Sequence, residues 1–214
     1  MCAVIGYSGA PGAAASDTLG RLFDESKIRG LHAFGIASYL AGAGEKIEVT
    51  RFLNREDARE RLCALARDFP GDRLRMIAHC RYSTSGDWQT EANNQPIAIG
   101  GIALAFNGCI HMGTREEWGA AYGFTPETDN DGEIFLRKAI DGEDWEHWVR
   151  AGAFSFAGVM LMGGHVVALR NKQRPLYYLH MPHGHYIGST ADIFARAELD
   201  GAKFIPPGHA VTLP

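Results

Sequence analysis

Cys2-Ala-Val-Ile-Gly-Tyr7 opens the chain with a short apolar run directly behind the initiator methionine. A run of this length and composition predicts a fully buried strand. Its first residue also carries a thiol, and loss of Met1 would give that residue a free α-amine. The thiol is then a nucleophile and the amine a base with a pKa of about 7.7–8.0, so one residue can do covalent chemistry without a histidine. A cysteine that merely begins a buried strand is the structural alternative, and only the rest of the chain separates the two.

Strand patterns dominate the remainder of the chain. They are expected near 32–40, 46–52, 75–82, 97–106, 154–162, 165–170, 176–180, 185–189 and 210–213. Helices are expected over 17–29 with Asp17 as N-cap, after Asn54 up to Pro70-Gly71, from the capping box Thr114-Arg-Glu-Glu117 to Gly123, over 131–140, and around 192–197. Two groups of strands separated by helical patterns predict an α+β domain in which two sheets pack on each other with helices outside. The 214 residues, 46 % hydrophobic and 21 % charged, suit a single domain spanning 1–214. A net charge of −4 gives no reason to expect nucleic acid or an anionic membrane as partner. No apolar stretch reaches membrane-spanning length, and no basic segment followed by an apolar one marks a secretory signal. Four cysteines without CxxC spacing argue against a disulfide framework or structural zinc and point to a reducing cytoplasm.

Chemistry collects at three places. Ala78-His-Cys-Arg-Tyr-Ser-Thr-Ser-Gly86 carries Arg81 where a buried strand turns polar, and a guanidinium there suits a bidentate grip on a carboxylate; a surface ion pair is the plainer account. Phe106-Asn-Gly-Cys-Ile110 offers a side-chain amide and a glycine N–H to a developing oxyanion, although Asn-Gly is also the strongest hairpin signal. Thr128-Asp-Asn-Asp-Gly-Glu133 either caps a helix or supplies an aspartate for a substrate ammonium. His180, His183 and His185 invite a metal, but their spacing crosses Pro182 and Gly184 in an expected hairpin. Cys63, Cys80 and Cys109 read as packing residues.

Taken in order, Cys2, Arg29-Gly-Leu-His-Ala-Phe-Gly35, His79-Cys-Arg-Tyr-Ser-Thr-Ser-Gly86, Asn107-Gly108 and Asp131-Gly-Glu133 resemble the class II glutamine amidotransferases, the N-terminal-nucleophile family with patterns C-G-I-x-G, R-G-x-D-S-x-G, G-H-T-R-W-A-T-H-G, H-N-G-x-I and S-D-x-E. Arg170-Asn-Lys-Gln-Arg-Pro-Leu-Tyr-Tyr178, Ser189-Thr-Ala191 and Pro206-Pro-Gly208 extend the resemblance to nearly the whole chain. It implies a four-layer αββα sandwich of the N-terminal-nucleophile hydrolase type and hydrolysis of glutamine to glutamate and ammonia. Cys2, freed by loss of Met1, would be the nucleophile, with Asn107 and the Gly108 N–H as the oxyanion hole. Arg81 would hold the substrate α-carboxylate and Asp131 its α-ammonium, with Asp129 one step away on the same motif. Tyr82 and Thr84 would line the glutamine pocket, and Arg29 would support the nucleophile strand. No cofactor or metal is implied. The resemblance further implies a separate ammonia-accepting synthetase or transferase, since no such region is attached. Hydrolysis of a γ-glutamyl amide in a larger conjugate is the alternative activity, and a catalytically silent interaction module of the same fold is a third reading. Ala3, His32, Tyr82, Ser85 and Phe106 stand where the family commonly has glycine, aspartate, tryptophan, histidine and histidine, and His32 is thereby expected to alter support behind the nucleophile.

Overall fold

The structure is a computed structural model that describes residues 1–83 and 86–214. Chain order sets β1 (Ala3–Gly9), α1 (Ala13–Ser26), β2 (Ala33–Tyr39), β3 (Ile47–Phe52), α2 (Arg55–Asp68) and β4 (Leu74–Arg81). Then come β5 (Ile97–Ile99), β6 (Ile102–Cys109), α3 (Arg115–Tyr122), α4 (Gly132–Ile140), α5 (Trp145–Ala151), β7 (Ser155–Met162) and β8 (His165–Arg170). β9 (Tyr177–Met181), β10 (Gly184–Gly188), α6 (Ala191–Arg196), β11 (Lys203–Phe204) and β12 (Val211–Leu213) complete the chain.

The strands form two antiparallel sheets, a seven-stranded one in the order β11-β9-β10-β1-β4-β2-β3 and a five-stranded one in the order β12-β8-β7-β6-β5. Side chains alternate between the faces of each strand, and that alternation creates three apolar layers. On β1, Ala3, Ile5 and Tyr7 point outward onto Leu19, Leu22 and Phe23 of α1 and Leu62 of α2. Val4 points the other way, into the layer between the sheets, where it joins Ile77, Ala103, Ala105, Ala157 and Val159. Beyond the second sheet, Leu104, Phe106 and Phe156 pack on Trp118, Ile134, Phe135 and Val149 from α3, α4 and α5. The result is the expected αββα sandwich. The small residues of the middle layer, alanines above all, let the two sheets approach closely.

Local signals explain most element ends. The Asn54 side chain accepts from the Asp57 amide and starts α2, and Thr114 with Glu117 makes a full capping box at α3. Each such cap stabilises its helix by about 1 kcal/mol. α1 departs from expectation. It begins at Ala13, not at Asp17, because Ala13-Ala14-Ala15 are strong helix formers and the Gly12 carbonyl already accepts from Ser16. Asp17 sits inside the helix and pairs with Arg21 at i,i+4. The expected strand over 97–106 is a hairpin, β5 and β6, turned by Gly100 and Gly101 at φ 58° and 81°, the left-handed pair that a tight turn demands. Asn107-Gly108, by contrast, makes no turn: β6 runs straight through both residues to Cys109.

Candidate active site

The alternation that builds the middle layer also assembles the site. Cys2 precedes Val4 by two residues and so shares its inward face. Ile77 faces inward on β4, which puts His79 and Arg81 on the same side; Ala103 and Ala105 do the same for Asn107 on β6. The Ala3↔Cys80 pairing brings Cys2 alongside Arg81. One end of the inter-sheet layer is therefore polar, and it holds a thiol, a guanidinium and a carboxamide contributed by both sheets.

Cys2 is half-buried, and its thiol donates to the Tyr82 carbonyl at 3.6 Å. Burial pushes the thiol above its ordinary 9.0, while the Tyr82 contact and the nearby positive charges of the N-terminus, Arg81 and Arg29 oppose that rise. The strand behind it is tied in place. Arg29 Nε donates to the Cys2 carbonyl at 2.9 Å, and the Val4 amide donates to Ser189 Oγ at 2.8 Å. Met1 extends outward, its sulfur beside Arg29 and Arg174.

Arg81 is buried. Its Nη1 donates to Asn94 Oδ1 at 2.6 Å and its Nη2 to the Gly86 carbonyl at 3.5 Å. Asn107 is buried as well, yet its Nδ2 has no hydrogen-bond partner among the described residues. Such a donor costs about 1–3 kcal/mol. Beside it, Gly108 leaves no room for a side chain, since a Cβ would run into the Ser155 carbonyl of β7. Gly108 is thus held by β6–β7 pairing, beside an Asn107 side-chain donor that is left unmet among the described residues.

Asp131 lies close by, at the start of α4. Its Oδ2 accepts from the Ile110 amide at 2.5 Å and the His111 amide at 3.0 Å, which pins the segment just past Gly108. Burial raises its pKa, opposed by those two amides. Asp129 has different commitments, to Asn93 Nδ2 at 3.1 Å and Arg115 at 3.7 Å. Both carboxylates line one 280 Å³ cavity with Gly108, Cys109, His111, Met112, Gly113 and Trp118. Glu133, fully buried, holds the acidic loop by accepting from the Glu127 and Thr128 amides at 3.0 Å and from Arg137 at 3.2 Å.

The structure therefore brings Cys2, Arg81, Asn107 and Gly108 to one end of the sandwich, with Arg29 on the Cys2 carbonyl and Asp131 anchoring the segment after Gly108. Tyr82 contributes its carbonyl; the residue is 48 % exposed. Thr84, expected in the pocket, and Ser85 lie outside the described residues. His32 stacks on Tyr82 with ring centroids 4.8 Å apart and on Trp88 at 5.6 Å. Asn94 carries no motif signal, although Asn93-Asn-Gln-Pro96 is a dense polar cluster before an apolar strand; Arg174 and Ser189 fall within the Arg170–Tyr178 and Ser189–Ala191 motifs, which by themselves assign neither a role. Among the described residues no three His, Cys, Asp or Glu side chains are arranged to hold a metal, and no helix is long and apolar enough to cross a membrane.

A four-layer αββα sandwich whose innermost strand starts at a candidate nucleophile has the N-terminal-nucleophile hydrolase fold. Among solved structures, the chain is similar to glutamine phosphoribosylpyrophosphate amidotransferase from B. subtilis, with a TM-score of 0.68 at 18 % identity over 99 % of this chain and 47 % of that one. It is also similar to a protein described as the allosteric regulatory enzyme of purine biosynthesis (TM-score 0.67, 17 % identity, 99 % and 46 %) and to a glutamine aminotransferase class-II domain protein from Silicibacter pomeroyi (0.58, 16 %, 99 % and 94 %). The chain spans less than half the length of the first two. At these identities the likeness is one of fold. No family model and no curated protein sequence matches the chain.

Proposed function

We propose that this chain is a class II glutamine amidotransferase domain that hydrolyses glutamine and supplies ammonia to an acceptor-activating partner. The observation that carries the reading is the pairing of Cys2 and the unpartnered, buried Asn107 amide on the facing inner surfaces of the two sheets. A buried donor left unsatisfied is what an oxyanion hole requires, because the charge it serves exists only during reaction.

In this reading Met1 is removed. The Cys2 α-amine takes the thiol proton, and sulfur adds to the side-chain amide carbon. Asn107 Nδ2 and the Gly108 N–H receive the oxyanion. The amine returns its proton to the departing nitrogen, which leaves as ammonia, and water then cleaves the glutamyl thioester to glutamate. Arg81 grips the α-carboxylate, and Asp131 receives the α-ammonium in the cavity it shares with Asp129.

Intact-mass analysis before and after treatment with a glutamine analogue bearing an electrophilic carbon tests this. The expected result is a chain lighter by one methionine with one adduct, at Cys2. Retention of Met1, or labelling at Cys63, Cys80 or Cys109, overturns it.

A further inference from the structure

His32 belongs to a closed circuit of contacts around the carboxylate grip. Its backbone N–H donates to the Arg81 carbonyl at 2.9 Å, and its Nδ1 accepts from the Ser83 amide at 2.9 Å. The imidazole lies between two aromatic rings, inclined 26° to Tyr82 and 24° to Trp88. The Trp88 carbonyl accepts from Asn94 Nδ2 at 2.8 Å, and the other end of that same carboxamide, Oδ1, accepts from Arg81 Nη1. Following the contacts from ring to ring and bond to bond returns to Arg81, entered once through its carbonyl and once through its guanidinium. The Tyr82 carbonyl, fixed by the same stack, is the acceptor for the Cys2 thiol.

The geometry points to His32 as a positioning residue that sets the placement of the Arg81 guanidinium, and hence the affinity for glutamine, through Trp88 and Asn94. This role rests on the glutaminase reading above. The imidazole supplies two things that no other side chain here supplies together: a flat face for both rings and an acceptor nitrogen for Ser83. Disturbing it shifts Trp88, rotates Asn94 and loosens the fork before the substrate arrives, while Cys2 keeps its backbone ties through Arg29 and Ser189 and the Asn107-Gly108 strand is not touched.

Two variants separate the parts. His32→Gln keeps a side-chain acceptor and removes the rings; His32→Phe keeps the stack and removes the acceptor. Loss of the stacked ring is expected to raise KM for glutamine about tenfold in His32→Gln with kcat within about twofold, and the rise in His32→Phe is expected to be smaller, about threefold. Trp88 emission, isolated by subtracting the spectrum of Trp88→Phe, is expected to shift to the red in His32→Gln. An unchanged KM in His32→Gln, or a loss in kcat with KM unchanged, overturns the proposal. Unchanged Trp88 emission overturns the stack itself. A wild-type protein that hydrolyses no glutamine overturns the glutaminase reading instead, a result the emission measurement does not depend on.

Discussion

The two sheets meet at the site with opposite habits. On the seven-stranded side the groups around the thiol are engaged, Cys2 through its carbonyl and thiol, Val4 through its amide, and Arg81 through Asn94 and Gly86, while both ring nitrogens of the buried His79 have no partner among the described residues. On the five-stranded side the Asn107 amide is buried and donates to nothing among the described residues. The contrast separates two ways of being prepared. The Cys2 side is held by bonds that its own groups make at rest. On the Asn107 side the backbone is fixed by strand pairing and, just beyond Gly108, by Asp131, while the Asn107 side chain donates to nothing among the described residues; in the proposed reading that donor is available at little reorganisation cost when negative charge appears.

That difference can be broken from either side. The largest effect is expected at Asn107→Ala, where kcat for glutamine falls by about 10²–10³. Because the deleted donor was unsatisfied, thermal unfolding should move by no more than about 2 °C. A large loss of stability would show that the amide is engaged at rest and that the contrast is false. Arg81→Met should behave in the opposite way. It strips Asn94 Oδ1 of its donor, so the midpoint of thermal unfolding is expected to fall by about 5 °C, and KM to rise on the order of tenfold or more. Steady-state kinetics and calorimetry on the two variants together test whether affinity and stability are coupled on one side only.

The smallest effect concerns His79, which lies behind both sides in the middle layer. Burial, with the Arg81 charge adding to it, lowers its pKa from 6.5 to about 3. The unfolded chain takes up a proton here below pH 6.5, whereas the folded chain does not until about pH 3. Stability is therefore full above pH 6.5 and is lost as pH falls from there toward 3. In His79→Phe the drop in urea-unfolding free energy between pH 7 and pH 5 should shrink by about 2 kcal/mol. An unchanged drop would mean that His79 is protonated in the folded protein.

Much of the fold is legible in the sequence because local chemistry and tertiary packing agree. Asn54 and Thr114 cap where capping residues should, and the two strand groups form two sheets. The failures have equally local causes. Ile97–Phe106 is apolar enough on both sides of Gly100-Gly101 to look like one strand, though two consecutive left-handed glycines fold it into two. α5 is only seven residues long and escapes a reading by periodicity despite Asp144, whose side chain caps the His147 amide. At the site, Cys2, Arg81 and Asn107-Gly108 stand out because each sits at the end of a strand-like run. Their supports do not: Ser189 meets Val4 across 185 positions, and Asn94 serves Arg81 from a loop with no periodicity. The stack that His32 makes is not legible either, because its ring partners Tyr82 and Trp88 lie more than forty positions away.

The strict inside–outside alternation along β1 makes the N-terminus a ruler. Adding one residue between Cys2 and Val4 would turn the thiol to the helix-facing side, among Leu22 and Phe23. Adding two would restore the face but carry the sulfur about 6.6 Å along the strand direction, away from the Tyr82 carbonyl it now meets. In the proposed reading the chemistry is thus metered by a count of residues: a cut after Cys2 removes the nucleophile, and a chain that keeps Met1 displaces the amine.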